Sequence, residues 1–221
     1  MARKRLIGLV AAAMCVAGLA IGPASASALD PILFVHGYSE SSSLWKTMIS
    51  RFEKDGYPKS YLSAYSYNTS QSNKTDAEQY VKVEVEKLLK TTKASKVDII
   101  AHSMGSLNTR WYIKFLEGES KVDDWVSLGG PNHGTETANF CFSTSCVEMR
   151  VGSTFLKELN EGDETPGIVN YGTWWSPCDE IINPDSSVAL TGATNTETAC
   201  ISHTALTTNE TVYTQVREFV K

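Results

Sequence analysis

The sequence predicts an α/β fold in which helices cover both faces of a largely parallel sheet. Short apolar runs such as Pro31–Val35 and Val97–Ala101 alternate along the chain with amphipathic stretches that have helical spacing. Strands that alternate with helices form parallel sheets buried on both faces. No internal repeat or linker interrupts this pattern, so we expect a single domain over residues 29–221.

The strands are recognised by compact apolar or alternating runs that end at turn residues. The first run ends at His36-Gly37, and the fourth ends at Gly129-Gly130. Six strands are expected, at residues 31–35, 60–67, 97–101, 125–128, 167–174 and 195–200.

Four helices are expected from apolar residues at a spacing of three and four. The first covers Ser43–Lys54, with Gly56 just past its end. A second begins at a capping box, Thr75 to Glu78, and runs to about Thr92. The third follows the 97–101 strand at once and carries Leu107, Trp111 and Phe115, and the closing helix carries Val212, Val216 and Phe219. A long irregular region is expected between residues 132 and 166.

The first 28 residues are predicted to be a secretory signal peptide. Three basic residues at positions 3–5 precede an apolar run, Leu6–Ile21, and small residues follow up to Ala28. A charged start, an apolar middle and an A-x-A end are typical of export signals. We place cleavage after Ala28, with Ala26 as the competing site. The alternative interpretation is a membrane anchor or a core helix.

Composition excludes some classes of function. Removing 28 of the 221 residues leaves 193, enough for one substantial core. Three of the 20 basic residues lie in the removed segment, so 17 remain against 25 acidic ones, a formal charge of −8. A nucleic-acid binder would need a basic face. No second apolar segment is long enough to anchor the chain stably in a membrane.

Four cysteines remain after the predicted cleavage, and export favours disulfides. Of three possible pairings we favour Cys141–Cys146 and Cys178–Cys200. The first pair would close a short loop, and the second would join two segments that carry candidate catalytic residues. A zinc site is the alternative, but no C-x-x-C spacing and no nearby Cys/His set is present. We therefore expect no metal.

The segment Ala101-His-Ser-Met-Gly105 carries the strongest functional signal, because it lies between a predicted strand and a predicted helix. In a nucleophile elbow the chain turns sharply and exposes a strained serine above the sheet. Small residues two positions before and after that serine let the backbones approach closely. Ser103 is therefore the candidate nucleophile. The alternative is an ordinary turn in which Ser103 caps the helix.

Attack by a serine on a carbonyl places negative charge on the carbonyl oxygen, which backbone N–H groups must meet. One donor in such sites is the residue after the nucleophile, here Met104. The other comes from a loop after an early strand. Tyr38, in Val35-His36-Gly37-Tyr38, is the candidate for this second oxyanion-hole donor.

The catalytic base and acid are sought downstream of Ser103, because this fold places them in the order Ser, Asp or Glu, His. Two histidines lie there, and His133 precedes every candidate acid. His203, between the last strand and the closing helix, is therefore the candidate base. Asp179 follows the penultimate strand and is the first choice of acid. The alternatives are Glu180 and Asp185.

These motifs together resemble the class 2 family of small secreted bacterial triacylglycerol lipases. The matching segments are residues 31–37, 97–105, 126–131, the Asp179 loop and His203–Leu206. Alanine at the first elbow position is itself a mark of the small-lipase group. The resemblance implies a minimal α/β-hydrolase fold of about six parallel strands, hydrolysis of carboxylic esters, and no required metal or organic cofactor. It also implies a bacterial source.

The predicted function is that of a secreted lipase or carboxylesterase acting on a lipid or ester substrate, and we expect a monomer. A cutinase-like polyesterase or an acyltransferase would use the same residues. A catalytically dead binding module is the hypothesis from another class. Apolar residues near the expected site suit an acyl chain or belong to the core: Tyr38, Met104, Phe140, Phe142, Trp174 and Trp175.

Overall fold

Six strands form one sheet in the order β2-β1-β3-β4-β5-β6, and every neighbouring pair is parallel. The computed structural model describes Met1 and residues 29–221. The predicted signal peptide therefore lies outside the described residues, except for Met1. The strands are β1 Ile32–Val35, β2 Leu62–Ala64, β3 Val97–His102, β4 Val122–Leu128, β5 Asn170–Trp175 and β6 Thr194–Glu197. The predicted α/β class and parallel sheet are confirmed.

The second strand is shorter than the prediction of residues 60–67. The strand ends at Ala64, and the tyrosines that follow it pack their rings against side chains outside the sheet. The Tyr67 ring stacks on His36 at 4.4 Å, and Tyr65 stacks on Tyr80 at 6.3 Å. The last strand also ends early, at Glu197 rather than Cys200.

Helices cover the two faces of the sheet and divide the core in two. On one face α1, Lys46–Lys54, and α7, Glu210–Phe219, pack with Phe34, Ile100 and Val126 of the strands. On the other face α3, Lys82–Thr92, and α4, Gly105–Phe115, pack against the remaining strand side chains. Strands buried on both faces are nearly continuously apolar, which is the pattern seen in the sequence.

The predicted capping box at Thr75 is wrong. The helix begins three residues earlier than that box requires, with α2 at Asn73–Asp76, and it continues through a π-helical turn, Ala77–Val81, into α3. Ser72 is the N-cap, and its hydroxyl accepts a hydrogen bond from the N–H of Lys74. The Glu148 carboxylate accepts from the Asn73 N–H at 2.7 Å. This tertiary contact fixes the helix start, which sequence spacing does not reveal.

The region expected to be irregular contains two short helices, α5 Thr144–Met149 and α6 Thr154–Asn160. Ser143 and Ser153 cap them through side-chain hydrogen bonds. Helices of six and seven residues are too short to show a clear apolar period. This region therefore contributes ordered side chains to the site described below.

A parallel sheet brings the carboxyl ends of all its strands to one edge. The strand order reverses between β1 and β3, and ligands in open α/β sheets bind at such a reversal. The loops after β1 and β3 contain Gly37 and Ser103, so both candidate elements lie at this position. Within the described part of the chain, none of the helices has the length and apolarity needed to cross a bilayer.

Candidate active site

Ser103 occupies a strained turn between β3 and α4. Its φ is +53°, a left-handed conformation that is uncommon for residues other than glycine. The N-cap of α4 is Met104, and no side chain caps this helix, so the alternative role of Ser103 as a cap is not seen. A Cβ placed on Gly105 would lie 2.5 Å from the carbonyl oxygen of Val35, too close for any side chain. The turn has the geometry predicted for a nucleophile elbow.

His203 and Asp179 form a buried hydrogen-bonded pair beside this serine. The His203 Nδ1 lies 2.7 Å from Asp179 Oδ2, and their side chains are 6% and 1% exposed. The other oxygen of Asp179 accepts hydrogen bonds from the N–H groups of Ile181 and Ile182, both at 2.9 Å. The carboxylate is therefore held from two sides. Its orientation favours the tautomer in which His203 Nδ1 carries the hydrogen.

The surroundings shift the pKa of both groups downward. Burial lowers the pKa of His203 below the ordinary histidine value, although the hydrogen bond to Asp179 opposes this shift. Burial alone would raise the pKa of Asp179. The hydrogen bonds from His203 and from two backbone N–H groups outweigh burial, so the pKa of Asp179 lies below its usual value. Asp179 is thus kept ionised and His203 neutral near pH 7.

The alternative acids and the alternative base lie elsewhere. Glu180 accepts a hydrogen bond at 3.0 Å from the backbone N–H of His203, rather than from its ring. Asp185 accepts from the N–H of Ser186, its neighbour in the chain. His133 pairs through Nε2 with Glu164 at 2.7 Å, away from the cavity that Ser103 lines.

The loop after β1 lies directly against the nucleophile. A Cβ on Gly37 would be 2.6 Å from the Cβ of Ser103, so only glycine allows this approach. The two predicted donors, the N–H groups of Tyr38 and Met104, flank the serine from this loop and from the elbow. Over residues 29–221 neither N–H makes a hydrogen bond within the protein. Neither donor is therefore committed to another protein group, and Tyr38 lines the same cavity as Ser103.

A cavity of about 390 Å³ opens over these residues. Ser103, His203 and Tyr38 line it together with apolar side chains from the 132–166 region and from the loop that follows Asp179. The sequence did not single out the apolar lining residues Ala138, Met149, Ile181 and Ile182, nor the polar ones Glu40, Thr135 and Thr137. Sequence carries no signal for them because they come from loops and from helical segments too short to show an apolar period.

The six apolar candidates for an acyl site separate in the structure. Tyr38 and Phe140 line the cavity, whereas Trp174 is buried in the core near α7 and Trp175, the last residue of β5, does not line the cavity. Phe140 and Phe142 are 85% and 84% exposed at the mouth of the cavity and beside it. Met104 is fully buried. The cavity mouth therefore carries exposed aromatic surface.

Both favoured disulfides are present. Cys141–Cys146 closes a short loop at the cavity wall, with Cα atoms 5.7 Å apart. Cys178–Cys200 joins the segment before Asp179 to the segment before His203, with Cα atoms 4.9 Å apart. Since all four cysteines of the described residues are oxidised, none is free to bind zinc. The second disulfide holds the acid and base loops together.

Comparisons with known proteins agree with this architecture. A mature lipase of Bacillus licheniformis superposes with a TM-score of 0.78 at 16% identity, covering 89% of this chain and 94% of that one. Lipase B of Aspergillus fumigatus gives 0.70 at 17% identity, covering 84% of this chain and 51% of that one. A phospholipase of Legionella pneumophila gives 0.71 at 12% identity, with coverage of 88% and 60%. This chain therefore spans about half the length of the Aspergillus lipase.

At such identities these likenesses establish the fold alone, which is that of an α/β-hydrolase. The family is established separately, because a family model described as lipase (class 2) matches residues 29–218. The chain belongs to the class 2 lipase family, a family of lipolytic ester hydrolases.

Proposed function

We propose that this protein hydrolyses carboxylic esters of lipids through a Ser103-His203-Asp179 triad and an acyl-enzyme. The observation that carries the proposal is the buried His203–Asp179 pair, bonded at 2.7 Å, whose histidine lines the same cavity as a serine held at positive φ. A neutral imidazole oriented by a carboxylate is what a general base for serine requires.

In the acylation step the Ser103 Oγ attacks the ester carbonyl carbon while His203 Nε2 takes the proton of the Ser103 hydroxyl. Asp179 stabilises the imidazolium that forms and keeps its ring in place. The negative charge on the carbonyl oxygen is met by the N–H groups of Tyr38 and Met104. The intermediate then expels the alcohol, which receives the proton from His203.

In the deacylation step water enters the place of the alcohol. His203 removes a proton from this water, which attacks the acyl carbon and forms the second tetrahedral intermediate. Its collapse breaks the bond to Ser103 Oγ, which regains the proton from His203. The free acid leaves and the enzyme returns to its starting state.

The cavity supports a substrate with an apolar acyl chain. Its walls are formed largely by Ala138, Met149, Ile181 and Ile182, and burial of acyl methylene groups there contributes about 0.8 kcal/mol each. The exposed Phe140 beside the opening suits contact with an aggregated lipid. We therefore infer a triacylglycerol lipase or carboxylesterase rather than an enzyme for small polar esters.

The test is hydrolysis of p-nitrophenyl esters of graded chain length by the oxidised protein and by Ser103→Ala. We expect turnover by the wild type and a loss of about 10⁴-fold or more in the variant, since a triad member is removed. Asp185→Asn, which lies outside the triad, is the control and keeps wild-type activity. Equal activity of wild type and Ser103→Ala would refute the assignment.

We also infer that the protein is exported and loses residues 1–28. The two disulfides support this, because disulfides persist in oxidising compartments. Mass spectrometry of the protein secreted by a bacterial host tests it. A mature chain beginning at Leu29 is expected, and a cell-retained chain beginning at Met1 would contradict it.

A further inference from the structure

A second acid–histidine pair, Glu40 and His102, lies on the other side of the candidate site. His102 Nδ1 is 2.9 Å from Glu40 Oε2, and the histidine ring is fully buried while Glu40 is 21% exposed. The centroid of the His102 ring lies 4.5 Å from that of the His203 ring. Neither residue exchanges a proton or forms a bond in the proposed hydrolysis.

The pair contacts three segments that carry proposed catalytic groups. Glu40 Oε2 also accepts a hydrogen bond from the N–H of Gly37, at 2.8 Å, in the loop that presents Tyr38. His102 immediately precedes Ser103 in the chain. Its Nε2 lies 3.2 Å from the backbone carbonyl oxygen of His203.

The hydrogen-bond inventory of His102 shows how the link works. Both of its partners are acceptors, a carboxylate and a carbonyl. The ring of His102 therefore lies between the loop after β1 and the loop that carries His203, within hydrogen-bond distance of both.

The partners of Glu40 agree with an ionised carboxylate. Burial alone would raise the pKa of Glu40, but the hydrogen bonds from His102 and from the Gly37 N–H outweigh it and lower this pKa. A buried carboxylate–histidine contact usually adds little net stability, because desolvation of the two groups offsets their attraction. We therefore look for the effect of the Glu40–His102 pair in the placement of the catalytic segments and not in the stability of the fold.

His203 is then held at three points. Asp179 accepts from its ring, Glu180 accepts from its backbone N–H, and His102 Nε2 lies 3.2 Å from its backbone carbonyl oxygen. The first two partners lie on the loop after β5. The third, His102, precedes Ser103 in the elbow, so this contact links the backbone of His203 to the segment that carries the serine.

We propose that Glu40 and His102 are positioning residues for the hydrolysis. They hold three segments in fixed relative positions: the loop after β1 with Gly37 and Tyr38, the elbow with Ser103, and the loop that carries His203. This inference rests on the proposed function. The pair acts through Gly37 and His203 and does not exchange a proton with the substrate.

The test compares Glu40→Gln and His102→Phe with a matched pair on the surface. Glu164→Gln and His133→Phe alter a carboxylate–histidine contact of 2.7 Å that lies outside the cavity. Steady-state hydrolysis of p-nitrophenyl butyrate gives kcat and KM, and the rate of labelling by a fluorophosphonate reports the reactivity of Ser103. Thermal unfolding of each variant reports stability.

We expect kcat to fall about 10- to 100-fold in Glu40→Gln and His102→Phe, because small misplacements of reacting groups lower the rate by such factors. The KM of both variants should stay within about twofold of the wild-type KM. The control variants Glu164→Gln and His133→Phe should keep kcat and KM within the same range. Because the two residues act as one unit, the double variant should lose far less than the product of the single losses. Labelling should slow in parallel with kcat.

Wild-type kcat in Glu40→Gln would overturn the proposal, and so would a rise in KM alone, which would make Glu40 a substrate-binding residue. If His102→Phe does not fold, the Glu40→Gln variant decides, since its side chain is partly exposed and its change is isosteric. Failure of the proposed function is distinct, because Ser103→Ala would then match the wild type.

Discussion

Replacing Asp179 with asparagine isolates the role of the carboxylate in orienting the base. In the wild type one oxygen accepts from two backbone N–H groups at 2.9 Å, and the other accepts from His203 Nδ1 at 2.7 Å. The asparagine oxygen would keep the two backbone bonds, which turns its NH₂ group toward the imidazole. His203 must then accept at Nδ1 and carry its hydrogen on Nε2, the nitrogen that should receive the serine proton.

The magnitude follows from this change of tautomer. Loss of the correct tautomer in a serine triad lowers kcat about 10⁴-fold, which corresponds to about 5 kcal/mol of transition-state stabilisation. Because the introduced amide would keep the backbone bonds, we expect little change in fold or in thermal unfolding. The assay is steady-state hydrolysis of p-nitrophenyl butyrate by the purified, oxidised variant.

Glu180→Gln is the matched control, since its amide oxygen can still accept from the backbone N–H of His203. We expect this variant to keep its activity within about tenfold, as Glu180 does not touch the ring. An Asp179→Asn variant as active as this control would refute the reasoning. Another acid would then have to orient His203.

Three further predictions concern pH, the first loop and the disulfide. Since burial lowers the pKa of His203 and the neutral ring is the base, kcat/KM should rise with pH to a plateau, with a midpoint below the ordinary histidine value. Gly37→Ala should lower kcat about 100-fold or more by displacing the oxyanion loop, because the new Cβ would lie 2.6 Å from that of Ser103. Replacing the Cys178–Cys200 disulfide by two serines should cost about 3 kcal/mol in the free energy of unfolding, since the two cysteines are 22 residues apart, and should lower kcat by freeing the acid loop.

Each of these has its own check. A pH–rate midpoint above the ordinary histidine value would contradict the first. Gly152→Ala is the control for the second: its Cβ would meet nothing within 4 Å, so the positive φ of +73° should lower stability but leave kcat unchanged. Urea unfolding of the Cys141–Cys146 double serine variant is the control for the third, since this disulfide has a sequence separation of only 5. Equal losses for both disulfides would contradict the loop-length argument.

Much of the fold could be predicted because its signals are local. The strand at 97–102 is a buried, largely apolar run, the elbow follows it directly, and the chain order limits the base to His203 or His133. The cysteine pairing was favoured by loop size and by the expected proximity of acid and base. These inferences need neighbouring residues or chain order, and the sequence contains both.

Other features depended on contacts that no local pattern encodes. The start of the 73–92 helix is set by Glu148, 75 residues away from Asn73, and not by the capping box at Thr75. The second strand ends where tyrosine rings find partners outside the sheet. Glu180 was an alternative acid in the sequence, and its place at the His203 backbone is a matter of loop conformation.

The sequence by itself determined the parallel sheet, the elbow serine and the candidate partners of its chemistry, because apolar periodicity, glycine placement and chain order are written residue by residue. Only the tertiary structure decided which side chains line the cavity and that Glu40 meets His102 across 62 positions of the chain. Such contacts arise from the packing of loops at the carboxyl edge of the sheet. Their geometry depends on the whole core and not on any segment of it.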